Sequence, residues 1–114
     1  MSSSCQIPTP TEYVRKMLDY AGYIRGLCGK RILENFCGEG NILCEIVRRY
    51  IEDAINSEYS ITAIVQGLEN DIVGIEIDEN KVTVCIDNLN RILEEYGIGE
   101  VKWNVSYSDY LQSR

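Results

Sequence analysis

The chain of 114 residues contains no histidine, two prolines, one phenylalanine and one tryptophan. Without histidine, no imidazole can act as general base or metal ligand, which removes triad hydrolysis and the common zinc sets. The five cysteines (Cys5, Cys28, Cys37, Cys44, Cys85) are odd in number and show no CxxC spacing. They read as reduced packing thiols rather than a disulfide framework or a metal site. No apolar run approaches the length needed to cross a bilayer, so no transmembrane helix is expected. The start, MSSSCQIPTPTEY, has neither a basic opening nor an apolar core, so it is not a signal peptide, and a cytoplasmic location is expected. Basic charge is scarce as well. A net charge of −7 and a pI near 4.5 speak against this surface gripping a phosphate backbone unaided.

What remains is an ordinary globular composition, 45% hydrophobic and 25% charged, of a length that suits one domain. Residues 1–8 read as a disordered lead, 9–111 as the folded unit and 112–114 as a tail. Thr9 can cap a helix, Pro10 suits its first position and Glu12 completes a capping box. Val14, Met17, Leu18 and Ala21 then share one face, and Gly22 and Gly26 end that helix. Residues 31–36 (RILENF) form a strand that breaks into Gly38-Glu39-Gly40. Behind that turn, Ile42, Leu43, Ile46, Val47, Tyr50, Ile51 and Ala54 make a broad helical stripe. Between 56 and 71, Ile61, Ile64, Val65 and Leu68 predict a short extra helix that stops near Gly67. Residues 72–77 (IVGIEI) are a second strand. The next helix turns Val82, Cys85, Ile86, Leu89, Leu93 and Tyr96 inward and closes at Gly97. Residues 101–107 (VKWNVSY) are a third strand.

The order, a helix followed by β-α-β-α-β, predicts an α/β fold: half of a doubly wound parallel sheet with flanking helices. Such sheets bind ligands at the carboxyl ends of their strands. Three signals meet there. The Gly38–Gly40 turn lets backbone amides approach a ligand, because no side chain intervenes. Glu76 ends the second strand, where an acid can accept from two ribose hydroxyls. Asp109 follows the third strand and suits an adenine amino group. Each signal also has a plain reading as a tight turn, a solvated strand end or a helix cap. Together they describe an adenosine site. A dinucleotide site fits poorly, since Leu43 stands where the third fingerprint glycine belongs and Glu76 lies far beyond the usual spacing.

These motifs resemble those of the adenine-specific DNA methyltransferases of bacterial restriction–modification systems, in their amino-terminal half. TPTEYV with Met17 resembles the family's opening motif, ENFCGEGNIL its glycine-turn motif, IEID its ribose-binding motif and SDYL its adenine motif. The resemblance implies a Rossmann-like methyltransferase fold and S-adenosylmethionine as cofactor. It implies that Thr9, Glu34 and Phe36, with the turn of Gly38 and Gly40, hold the methionine portion. Glu76 and Ile77 would take the ribose and one adenine face, and Asp109 and Tyr110 the adenine amino group and ring edge. Asn35 and Ile42 depart from the family's proline and phenylalanine. The family's catalytic Asn/Asp-Pro-Pro-Tyr/Phe segment follows the adenine motif, and it is absent from these residues. The expectation is therefore a cofactor-binding portion, truncated before the catalytic strand and inactive alone. It would reach DNA only through missing segments, and the strand edge left open would recruit a complementing half or a second copy. A different class of reading keeps the half-sheet as a non-catalytic remnant or interaction module. Action on RNA or protein is also left open, because substrate choice lies outside these motifs.

Overall fold

A computed structural model of the chain describes residues 11–36, 41–76 and 78–107. Seven elements follow one another: α1 (Thr11–Tyr20), β1 (Ile32–Phe36), α2 (Asn41–Asn56), α3 (Ile61–Asp71), β2 (Ile72–Glu76), α4 (Glu79–Glu95) and β3 (Asn104–Tyr107). The three strands form one parallel sheet in the order β1-β2-β3. The α/β class, the parallel sheet and the extra helix of the connection between β1 and β2 agree with the sequence reading.

Local chemistry accounts for most boundaries. Gly22 and Gly97 sit at positive φ (80° and 69°) two residues past their helix ends. Tyr23 N–H reaches back to the Leu18 carbonyl and Ile98 N–H to that of Leu93, both at 2.9 Å. These are Schellman closures, in which a left-handed glycine satisfies the last carbonyls and the next apolar residue packs back. Ser60 caps α3 by accepting from the Ala63 N–H at 3.1 Å. Asp78 caps α4, accepting from the Asn80 N–H at 3.0 Å.

The stripe of α2 is the spine of the core. Leu43, Ile46, Val47, Tyr50, Ile51 and Ala54 are all buried, with Val14 and Leu18 of α1 packed beside them. From α4, Cys85, Leu89, Ile92 and Leu93 face inward, so Ile92 joins the stripe while Val82, Ile86 and Tyr96 are only half-buried. Helix α2 also packs on α1, α3 and α4, which makes the helices a single layer over the sheet.

Three expectations are corrected. Gly67 does not stop the extra helix, which runs through it to Asp71 and passes straight into β2. A Cβ at Gly67 would collide with the Tyr50 hydroxyl, so the missing side chain marks a close approach of α2 rather than a helix end. The third strand begins at Asn104, not at residue 101. Val101 turns into the core instead, the Lys102 N–H donates to Glu69 at 2.9 Å and the Trp103 indole to Asn90 at 2.8 Å. Those bonds occupy the lead-in with groups outside the sheet. The first strand likewise starts one residue later than expected, at Ile32.

Candidate functional site

In a parallel sheet all carboxyl ends lie at one edge, so the register assembles the site. Phe36 pairs with Glu76, and Glu76 with Tyr107, across the last rung of the three strands. Helix α2 begins beyond β1 and α4 beyond β2, so both amino termini stand at the same edge. Partly positive helix ends beside a strand-end crevice favour anionic or electron-rich ligand groups. The juxtaposition that the sequence reading required of the strand ends is therefore present for β1, β2 and β3.

Glu76 is the most distinctive of these residues. It is 1% exposed, the single charged residue in the core of the described chain. One carboxylate oxygen accepts the Asp78 N–H at 2.8 Å. That bond ties the end of β2 to the cap of α4, since Asp78 in turn receives the Asn80 N–H. A buried carboxylate is costly unless its oxygens are engaged, so Glu76 is held in place by the start of α4 rather than left to solvent. A solvated strand end, the plain alternative, is not what the geometry gives.

Glu34 lies one strand away and two residues earlier along the sheet. Its rung partner is Gly74, and neighbouring rung partners share a face, so Glu34 and Glu76 project to the same side of the sheet. Glu34 is half-buried, and burial pushes its carboxyl above the usual carboxylate range. Of the other residues assigned by resemblance, Phe36 is placed at the end of β1. Thr9, Gly38, Gly40, Ile77, Asp109 and Tyr110 lie outside the described residues, as do Cys5 and Cys37.

The three described cysteines are free thiols. Burial pushes Cys44 up to about 11 and Cys85 up to about 12, so neither is a thiolate near neutral pH. They serve as packing, as expected. Among the described residues, two cavities of about 380 and 290 Å3 lie away from the strand ends. The first is lined by Arg25, Arg49 and Asp53 among others, the second by Asn90, Leu93 and Ile98 among others, and neither includes a candidate residue. Both sit beside the carboxyl halves of α2 and α4, at the opposite end of the sheet. Asp53 and Arg49 of the first are already spent on structure. Asp53 accepts from the Gly26 and Leu27 N–H groups at 3.3 and 3.0 Å, and Arg49 donates to Asp19 and to the Tyr23 carbonyl.

The fold and the strand-end site define an α/β chain with a three-stranded parallel sheet, compatible with part of a Rossmann-like fold. No family model, curated protein or solved structure matches the chain. Among the described residues, no helix is long and apolar enough to cross a membrane.

Proposed function

We propose that this chain is the S-adenosylmethionine-binding portion of a DNA methyltransferase acting on the adenine amino group. Base handling and DNA recognition are supplied outside these residues. The observation that carries the reading is the buried Glu76 carboxylate at the carboxyl end of the middle strand, tied to the amino terminus of α4. An acid in that place suits paired ribose hydroxyls. Glu34, on the same side of the sheet, suits the cationic ammonium of the methionine portion, because ion pairing offsets the burial that raises its pKa. The residues fit the cofactor at these two points. When bound, the cofactor supplies an electrophilic methyl group. The chain's own part is to hold and orient it, and positioning of this kind is where much of the rate of such transfers arises.

Calorimetric titration with S-adenosylmethionine and with S-adenosylhomocysteine tests the reading. Binding of both is expected, with no methyl transfer to mixed genomic DNA by the chain alone. Absence of binding by a folded chain would overturn the cofactor assignment, and transfer by the chain alone would overturn the division of labour. A second reading, an interaction module that keeps the half-sheet as scaffold, draws on a different observation: Leu33 on β1 is 58% exposed. It predicts no cofactor binding at all.

A further inference from the structure

The last rung of the sheet changes character from one strand to the next. Glu76 of β2 is 1% exposed, yet Tyr107, its rung partner on β3, is 45% exposed. Rung partners share a face, so Tyr107 projects to the same side of the sheet as Glu34, Glu76 and Val105. Two residues before it, Val105 packs against the core. The helix layer therefore covers β3 at Val105 and falls short at Tyr107. An open phenol ring stands beside an enclosed carboxylate.

Aromatic residues favour strands whatever their role, but position gives this one a further use. Tyr107 ends its strand, at the carboxyl edge where parallel sheets hold their ligands. The covalent order of the proposed ligand then decides what meets it. In S-adenosylmethionine the ammonium lies at one end, the ribose in the middle and the adenine at the other end. With the ammonium at Glu34 on β1 and the ribose hydroxyls at Glu76 on β2, an extended ligand carries its adenine onward to β3. Neighbouring strands lie about 4.8 Å apart, so a base attached to that ribose comes within reach of the next strand's ring. On that rung and that face, the residue of β3 is Tyr107.

We infer that Tyr107 is a binding residue for the adenine ring, its phenol ring lying against one face of the base. Offset stacking suits two flat π-systems. A base stacked on an aromatic side chain gains affinity without any reading of its hydrogen-bonding edges. Tyr107 thus selects a flat heterocycle, not a particular base. No motif singles out this tyrosine in the sequence; the strand register does. The inference rests on the proposed function, which supplies the ligand and its direction across the sheet.

Titration of S-adenosylhomocysteine into the full chain and four variants tests it. Tyr107→Ala and Tyr107→Leu are expected to weaken binding by roughly tenfold, Leu included because bulk without a flat ring does not replace stacking. Tyr107→Phe keeps the ring and is expected to stay within about twofold of the wild type. Tyr59→Ala, at a tyrosine of similar exposure (48%) between α2 and α3, is expected to change nothing. Circular dichroism checks that each variant folds. In protein labelled at tyrosine, the Tyr107 ring signals are identified by their loss in Tyr107→Phe. They are expected to move upfield on binding, as protons over a stacked base do, and they decide alone if the Ala and Leu variants unfold. Three results overturn the inference and leave the proposed function standing: wild-type affinity in Tyr107→Leu, a loss in Tyr107→Phe as large as in Tyr107→Ala, or ring signals that stay in place when ligand is bound. A folded wild type that binds no ligand removes both.

Discussion

The two ends of the sheet treat carboxylates in opposite ways. At the amino end they stitch loops together. Asp71 accepts the Gly29 N–H at 2.6 Å and the Tyr50 hydroxyl at 2.5 Å, while Asp53 holds Gly26 and Leu27, and Glu69 holds Lys102. Each of these bonds spans 21 to 42 residues of chain, and together they pin the loop between α1 and β1, helix α2 and the lead-in to β3 to the root of the sheet. At the carboxyl end the carboxylates are kept under shielding. Glu34 is raised by burial alone, and Glu76 lies in the core. Charge held where water is scarce costs stability unless something binds it, and that combination marks functional sites more often than structural ones. The difference teaches that one end is built for cohesion, while the other shelters two carboxylates, as the proposed cofactor site requires.

The largest effect is expected from breaking the stitched end. Asp71→Ala leaves a buried tyrosine hydroxyl and a loop amide without their shared acceptor, which should cost roughly 2–4 kcal/mol. Chemical denaturation measures this, and cofactor affinity of the folded fraction should be unchanged. A comparable loss in Asp71→Asn would show that hydrogen-bond geometry matters more than charge.

Next in size is Gly67→Ala. In an exposed helix this change stabilises by up to ~1 kcal/mol. Here the new methyl would strike the Tyr50 hydroxyl, so a loss of roughly 1–3 kcal/mol is expected. The double variant with Tyr50→Phe should recover part of that loss. Thermal melts that show Gly67→Ala to be stabilising would mean that α2 and α3 are not so closely apposed.

At the other end, Glu76→Gln keeps an acceptor for the Asp78 N–H but discards the charge. Stability should hold or rise slightly, while affinity for S-adenosylmethionine falls by roughly 1–3 kcal/mol. The opposite pairing, lost stability with intact affinity, would move Glu76 to the structural column and dissolve the contrast between the ends.

The smallest effect concerns pH. The raised pKa of Glu34 means that the folded state holds this proton more tightly than the unfolded chain. Its contribution therefore favours folding below the unfolded value, and that advantage is lost as pH rises through the folded pKa. Glu34→Gln should be more stable than the wild type at neutral pH, and the gap should narrow on acidification. A gap that is constant with pH would show that burial does not raise the Glu34 pKa.

Much of this was legible beforehand where the signal is local. The α2 stripe, the Gly22 and Gly97 stops and the place of the first two strands follow from helical and strand periodicity and from glycine's access to positive φ. The Gly38–Gly40 turn, Glu76 and Asp109 were proposed from their positions at strand ends and Phe36 from the family resemblance; the structure puts Phe36 and Glu76 on one rung. What failed was information that lives in distant pairs. Gly67 reads as a stop because nothing near it reveals Tyr50, seventeen positions earlier, occupying its space. Val101–Trp103 has the composition of a strand but is drawn away by Glu69, Asn90 and the core.

The amino-acid order by itself determined which faces of the helices are apolar, where the chain turns, and that strands and helices alternate toward a parallel sheet. Those are consequences of side-chain period and backbone freedom within a few residues. Tertiary structure alone decided that Glu76 is enclosed, that Glu34 shares its side of the sheet, and that Leu33 faces outward. Those depend on the register of strands forty residues apart and on a single layer of helices choosing one face, which no local pattern encodes.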